Sequence, residues 1–181
     1  MSPPVLTIEL AGPVPPGTMQ RLRDHLACLA WYFEESRVGA YDLCVRADRL
    51  GATDDGGEEE PPCPFTVSIM GPGIGDEELF DAEHDDEVDR ESLIGFTPTH
   101  AVTVMASASR PVSHLVTALL TATVMDIVGG VVCAELADGQ RSVVAGLPGL
   151  VALASSPWPE AYGSAEFVRA WVRRPGFRLA T

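Results

Sequence analysis

The chain contains no lysine. Its 12 cations are all arginines, set against 26 acidic residues, and the net charge is −14. A nucleic-acid binder needs cations to displace the counterions of phosphate, so this balance argues against that class. It argues equally against docking on an anionic membrane. Cysteine is sparse: Cys28, Cys44, Cys63 and Cys133, with no C-x-x-C pair among them. Reduced thiols are expected, with Cys28 and Cys133 as small core residues and Cys44–Cys63 as the one candidate pair. The opening Met-Ser-Pro-Pro-Val-Leu-Thr-Ile-Glu-Leu has neither a basic n-region nor a long apolar run. That reads against a secretory signal and for a cytoplasmic protein. The longest apolar stretch, Leu115 to Ala134, is broken by Asp126 and by Gly129-Gly130. A mid-bilayer Asp costs about 2.5–3.5 kcal/mol, so a buried helix followed by a strand is the better reading than a membrane span.

Signatures of catalysis are scarce as well. His25, His84, His100 and His114 show no H-E-x-x-H and no i, i+4 pair, and there is no G-x-S-x-G. Gly71-Pro72-Gly73-Ile74-Gly75 sits between a strand pattern and a helix pattern, as a phosphate loop would. Asp76 stands where the third glycine belongs, and Asp76, Glu77 and Glu78 would repel phosphate from the helix start. A tight turn is expected there. The run Asp81, Glu83, His84, Asp85, Asp86, Glu87, Asp89 has no internal glycine and so lacks the shaped loop that calcium prefers. No metal, cofactor or catalytic residue is assigned, and the protein reads as a non-enzyme.

What is present is an ordinary core. The chain has 181 residues, of which 46% are apolar. One domain of that size buries about 70% of its unfolded surface without staples. Strands are expected at Val5–Leu10, Tyr41–Arg46, Phe65–Met70 and Ala101–Ala106. Leu22, Leu26, Leu29 and Phe33 fall on one helical face and predict a helix over 18–34. A further helix is expected from Ser109 as cap, with Pro111 in its first turn, to the stop at Gly129-Gly130. Asp138-Gly139 between strand-like runs 131–137 and 140–145 predicts a hairpin. Phe167 and Trp171 mark the buried side of a last helix, which ends before Pro175. These elements give an α+β domain: a mostly antiparallel mixed sheet of about six strands with about four helices on it.

The charge is concentrated. Sixteen acids and two arginines, Arg49 and Arg90, lie between residues 48 and 91; the rest of the chain is balanced. The segment divides into a loop insert at 48–64 and a helical stretch at 76–92. Opposite in sign, Arg169, Arg173, Arg174 and Arg178 crowd the C-terminal end.

Several stretches of the C-terminal half carry a resemblance. They are Ile94-Gly95-Phe96, Arg110 with His114, Gly129-Gly130, Leu147-Pro148-Gly149, and Ser164-Ala165-Glu166-Phe167-Val168-Arg169-Ala170-Trp171 followed by Pro175 and Phe177-Arg178. Across residues 93–181 the chain resembles an uncharacterised domain-of-unknown-function family of small bacterial proteins from GC-rich genomes. Its layout is similar to that of immunity proteins against polymorphic toxins. The resemblance implies a role without implying catalytic residues. The expected partner is therefore a cognate protein toxin with a cationic cleft. The expected contact surface is Asp76, Glu77, Glu78, Asp81, Glu83, Asp85, Asp86, Glu87 and Asp89, with Tyr32, Phe80 and Trp158 as candidate anchors. The alternative is a small-ligand or regulatory module with a pocket between sheet and helices, around His100, His114 and Asp126.

Overall fold

The computed structural model describes residues 2–51, 63–85, 89–155 and 157–181. Most of the acidic loop (52–62), together with Asp86 and Glu87, lies outside the described residues. The fold is α+β, and one sheet organises it. Its strands are β1 (Val5–Leu10), β2 (Ala30–Arg37), β3 (Ala40–Val45), β4 (Cys63–Met70), β5 (His100–Ala106), β6 (Val131–Glu135), β7 (Leu150–Ala154) and β8 (Glu160–Gly163). They run in the order β2-β3-β4-β5-β1-β6-β8-β7, and every pairing is antiparallel. Helices are α1 (Pro16–Leu29), α2 (Glu77–His84), α3 (Arg90–Ile94), α4 (Pro111–Val128), α5 (Gln140–Val144) and α6 (Ala165–Val172). Ends of the expected acidic loop are ordered: Ala47–Leu50 is a 3-10 turn and Cys63 opens β4.

Strand alternation sends Leu6, Ile8, Leu10, Leu43, Phe65, Val67, Val102, Val104 and Val132 to one face. There α1, α4 and α6 bury them with Leu22, Leu26, Leu120, Phe167 and Trp171. Helix α4 is apolar on several sides because α1, α6 and the sheet all touch it. Its length and hydropathy suffice to cross a membrane, yet more than half of it is buried inside the fold. Its threonines stay satisfied by local bonds: Thr117 donates to the Ser113 carbonyl at 2.6 Å, and Thr121 to that of Thr117 at 2.7 Å. Among the described residues, α2 and α3 cover the opposite face of the sheet. Phe80 of α2 packs on Met70 and Ala101, and Ile94 of α3 packs on Tyr162 and Ala154.

Several expectations are corrected. Helix α1 ends at Leu29, and residues 30–37 form edge strand β2. Phe33 is inward in either state, since a spacing of four satisfies both the 3.6 and the 2.0 period. It stacks on Tyr41 across the hairpin, with ring centroids 5.7 Å apart. The Asp138-Gly139 hairpin does not form. Both flanks of β6 are taken by β1 and β8, so residues 140–144 have no lane in the sheet and coil into α5. Strands β7 and β8 supply the pairing instead. The residue that caps α4 is Arg110 rather than Ser109, and it makes no side-chain cap. The acidic helix breaks after His84, where continuation would stack Asp81, Asp85 and Asp89 at i, i+4. Cys28 is exposed on α1, not buried, and all four cysteines are free thiols.

Gly130 joins the two faces. Its φ is +87°, and a Cβ there would lie 2.5 Å from the Glu9 carbonyl oxygen. Gly130→Ala should therefore destabilise the fold by about 1–3 kcal/mol or more. Thermal unfolding should show Tm falling by roughly 2–4 °C per kcal/mol.

Candidate functional site beneath the acidic cover

The site starts from a misfit in β1. Leu6, Ile8 and Leu10 face the helices, so Glu9 faces the other way, opposite Ala101 of β5 and Val131 of β6. It is 2% exposed. A carboxylate buried in mid-sheet needs partners to offset lost hydration. His84, the last residue of α2, brings Nε2 to 2.8 Å from Oε2. Arg90, the first residue of α3, brings Nε to 3.8 Å from Oε1. The other nitrogen of His84, Nδ1, donates to the Phe80 carbonyl at 2.7 Å, and the imidazole stacks on the Phe80 ring at 4.0 Å. Both ring nitrogens face acceptors, so both must carry protons. Burial opposes the imidazolium, but the Glu9 carboxylate and the Phe80 carbonyl together hold His84 above its ordinary value. One carboxylate thus clasps two short helices to the sheet.

Along the same face lie Thr7, Cys133 and Tyr162, in register across β1, β6 and β8. The Tyr162 hydroxyl donates to Glu160 at 2.5 Å. Loss of hydration, reinforced by Glu160, pushes the Cys133 thiol far up, and loss of hydration likewise raises Tyr162. Both groups stay protonated at neutral pH, so neither is a ready nucleophile. A shallow cleft of about 240 Å³, lined by His84, Asp89, Arg90, Glu91, Thr97 and Pro98, opens beside the clasp. Among the described residues no group of His, Cys, Asp and Glu is arranged to hold a metal ion.

Above the clasp stands the acidic segment. Asp76, Glu77, Glu78, Asp81, Glu83, Asp85, Asp89 and Glu91 are all exposed. Four of them also hold the local structure, among them Glu91, which accepts from the Thr97 hydroxyl at 2.7 Å. Asp76, in the left-handed region with φ 52°, pairs with Arg37 of β2. Glu77 accepts from the Gly73 backbone at 2.8 Å, which closes the glycine turn. Asp89 caps α3 by accepting from the Ser92 backbone at 3.2 Å. The remaining acids face solvent without such a structural duty on α2 and its exit. Of the candidate anchors, Tyr32 and Trp158 are exposed, whereas Phe80 is 6% exposed and belongs to the core beneath α2. Trp31, at 77% exposure on β2, is a fourth aromatic that the sequence reading passed over.

The alternative set does not converge. His100 bonds the Pro72 carbonyl through Nε2 at 3.0 Å. His114 lies in the first turns of α4, while Asp126 near its far end pairs with Arg169 of α6. Glu9 and Arg90 escaped the sequence reading as a pair. The signal available was a lone carboxylate inside an otherwise neutral strand.

Fold and clasp together define a class: an α+β domain with one open antiparallel sheet, three helices on one face and a charged cover pinned to the other. Within that class the chain belongs to DUF6368, a family of unknown function whose family model matches residues 2–181. The match takes in the N-terminal half, beyond the stretches that carried the resemblance. No curated protein and no solved structure matches the chain.

The clasp predicts a pH dependence. A histidine with a raised folded pKa contributes stability that is fully present below its unfolded value near 6.5 and fades as pH rises through the folded value. Stability should therefore fall on the alkaline side of about pH 6.5, and the His84 imidazole should titrate above that pH by NMR. Glu9→Ala should remove the shift and cost about 3–5 kcal/mol in denaturant unfolding, because two buried cations lose their counter-charge.

Proposed function

We propose that this protein is an immunity-type binding protein that blocks a cognate toxin domain by laying its acidic cover over a cationic cleft. The observation that carries this reading is the exposure of all eight described carboxylates between Asp76 and Glu91 on one cover. Two arginines near that region are engaged, one beneath the cover and one with a single acid of it. Arg90 is turned inward to Glu9, and Arg37 is engaged with Asp76. Exposed Arg173, Arg174 and Arg178 follow α6, on the other side of the sheet. The molecule thus has an anionic side and, away from it, a cluster of arginines, and such a charge distribution orients an approaching cationic domain before contact. Steering raises association rates and penalises wrong partners, while lasting affinity needs desolvated anchors. Exposed Trp31, Tyr32 and Trp158 are available for that purpose. A toxin acting on nucleic acid or nucleotides inside the cell would carry a suitable cleft, and its inhibitor would reside in the cytoplasm. The four free thiols agree with that compartment.

Co-expression with its cognate toxin domain, sought among the genes next to this one, should restore growth. Replacing Glu78, Asp81 and Asp85 together by lysine should slow association at low salt by about tenfold or more. Thermal stability should be kept, since none of the three ties down the glycine turn and Asp85, at the C-cap of α2, sits where a cation suits the helix dipole. Growth that stays arrested, or an association rate that the triple reversal leaves unchanged, would overturn the reading.

A further inference from the structure

A second polar constellation lies on the helix-covered side of the sheet, at the start of α4. The approach to this helix is Ser109-Arg110, and Pro111 occupies its first position. Eighteen residues of aligned peptide dipoles begin here with no side-chain cap. The chain that leaves α6 returns to the same place. Phe177 packs edge-on against Trp171 at 5.2 Å, Leu179 is buried, and the Gln140 amide donates to the Arg178 carbonyl. Between these segments is a pocket of about 230 Å³, lined by Ser109, Arg110, Pro111, His114, Phe177 and Arg178.

Three buried polar atoms at this one spot lack a hydrogen-bond partner: Ser109 Oγ, Arg110 Nε and His114 Nδ1. His114 is only 5% exposed, so it is not the satisfied packing histidine that its apolar helix suggests. Buried groups without partners are rare, and three together point to something that would complete them. The far end of Arg110 contacts the Cys63 sulfur at 3.2 Å, which positions its guanidinium. Burial and the Arg178 guanidinium hold His114 below its ordinary value, so the ring is neutral at pH 7 and keeps one N–H to donate. Among the described residues that line it there is no carboxylate, in a chain of net charge −14.

A hydroxyl, two guanidinium groups, an imidazole and a helix N-terminus form a cationic, donor-rich set. We infer that this pocket binds the phosphate group of a small phosphomonoester, with Ser109, Arg110, His114 and Arg178 on the phosphate oxygens. Phe177 supplies an apolar wall for the organic part. A volume of about 230 Å³ admits a phosphate and a small substituent but no polymer. The site stands on the face away from the acidic cover and does not depend on toxin binding.

The probes are inorganic phosphate and phenyl phosphate, titrated into the full chain by calorimetry at fixed ionic strength, with sodium acetate as control. Saturable binding with Kd at or below about 1 mM is expected, tighter for phenyl phosphate than for inorganic phosphate. Arg178→Met, at an exposed position outside the core, should weaken binding about tenfold with Tm unchanged; Ser109→Ala should weaken it to a smaller degree. Tighter binding of inorganic phosphate would keep the anion site and overturn the ester assignment. No saturable signal up to about 10 mM of either probe would overturn the site. So would equal binding of acetate, or binding that Arg178→Met leaves intact.

Discussion

The Glu9 carboxylate is the constraint on which the open face of this sheet depends. It is buried at the centre of the sheet, and its two cations come from the ends of two short helices. Neither α2, with eight residues, nor α3, with five, would hold its shape alone, since isolated helices below about 12 residues are marginal. Each buries little apolar surface: Phe80 for α2, Ile94 with flanking Leu93 and Phe96 for α3. The charge clasp therefore decides where these helices sit. Desolvation makes such a clasp a modest source of net stability but a strict one of geometry, because an unpartnered carboxylate there is costly. Apolar residues in place of Glu9, His84 and Arg90 together would hold the sheet equally well but leave the cover without this fixed geometry.

The same logic explains how like charges are tolerated so close together. Eight exposed carboxylates repel one another, and a continuous acidic helix would align several at i, i+4. The chain breaks the helix and turns His84 and Arg90 underneath, placing positive charge on the buried side of a negative surface. Repulsion is relieved from below while the outward field stays negative. A surface built this way keeps its charge available to a partner, which a surface of mutually paired ions does not.

Class and core were legible in the sequence because periodicity was strong there: β1, β3, β4, β5 and α4 fall where alternation and helical spacing place them. The final helix is also where Phe167 and Trp171 put it, although it stops at Val172. Errors fell where one local signal served two states. The spacing of Phe33 suits helix and strand alike, and Gly139, with φ 83°, stands at a helix start where the Asp-Gly pair would also suit a hairpin. Only the occupancy of the lanes beside β6 settles the second case, and that is a property of the whole sheet. Bunching of acids could be read directly from composition. The residues that organise them could not, because Glu9, His84 and Arg90 are far apart in the chain and each looks ordinary alone.

Two charged regions on opposite faces of one sheet also bear on how the halves of the molecule relate. The N-terminal strand reaches both: Ile8 and Leu10 pack with the helices, and Glu9 anchors the cover. Gly130, with no room for a side chain, lets the α4–β6 connection close against the Glu9 backbone. The far end of α4 is thus fixed at the clasp and its start at the Arg178 pocket. At 1.5 Å per residue, α4 spans about 27 Å between them. Helix α4 joins the two regions with ten of its residues buried, and its buried threonines bond to its own backbone. The apolar packing that makes α4 the hydrophobic centre of the fold therefore also connects, together with β1, its two charged regions.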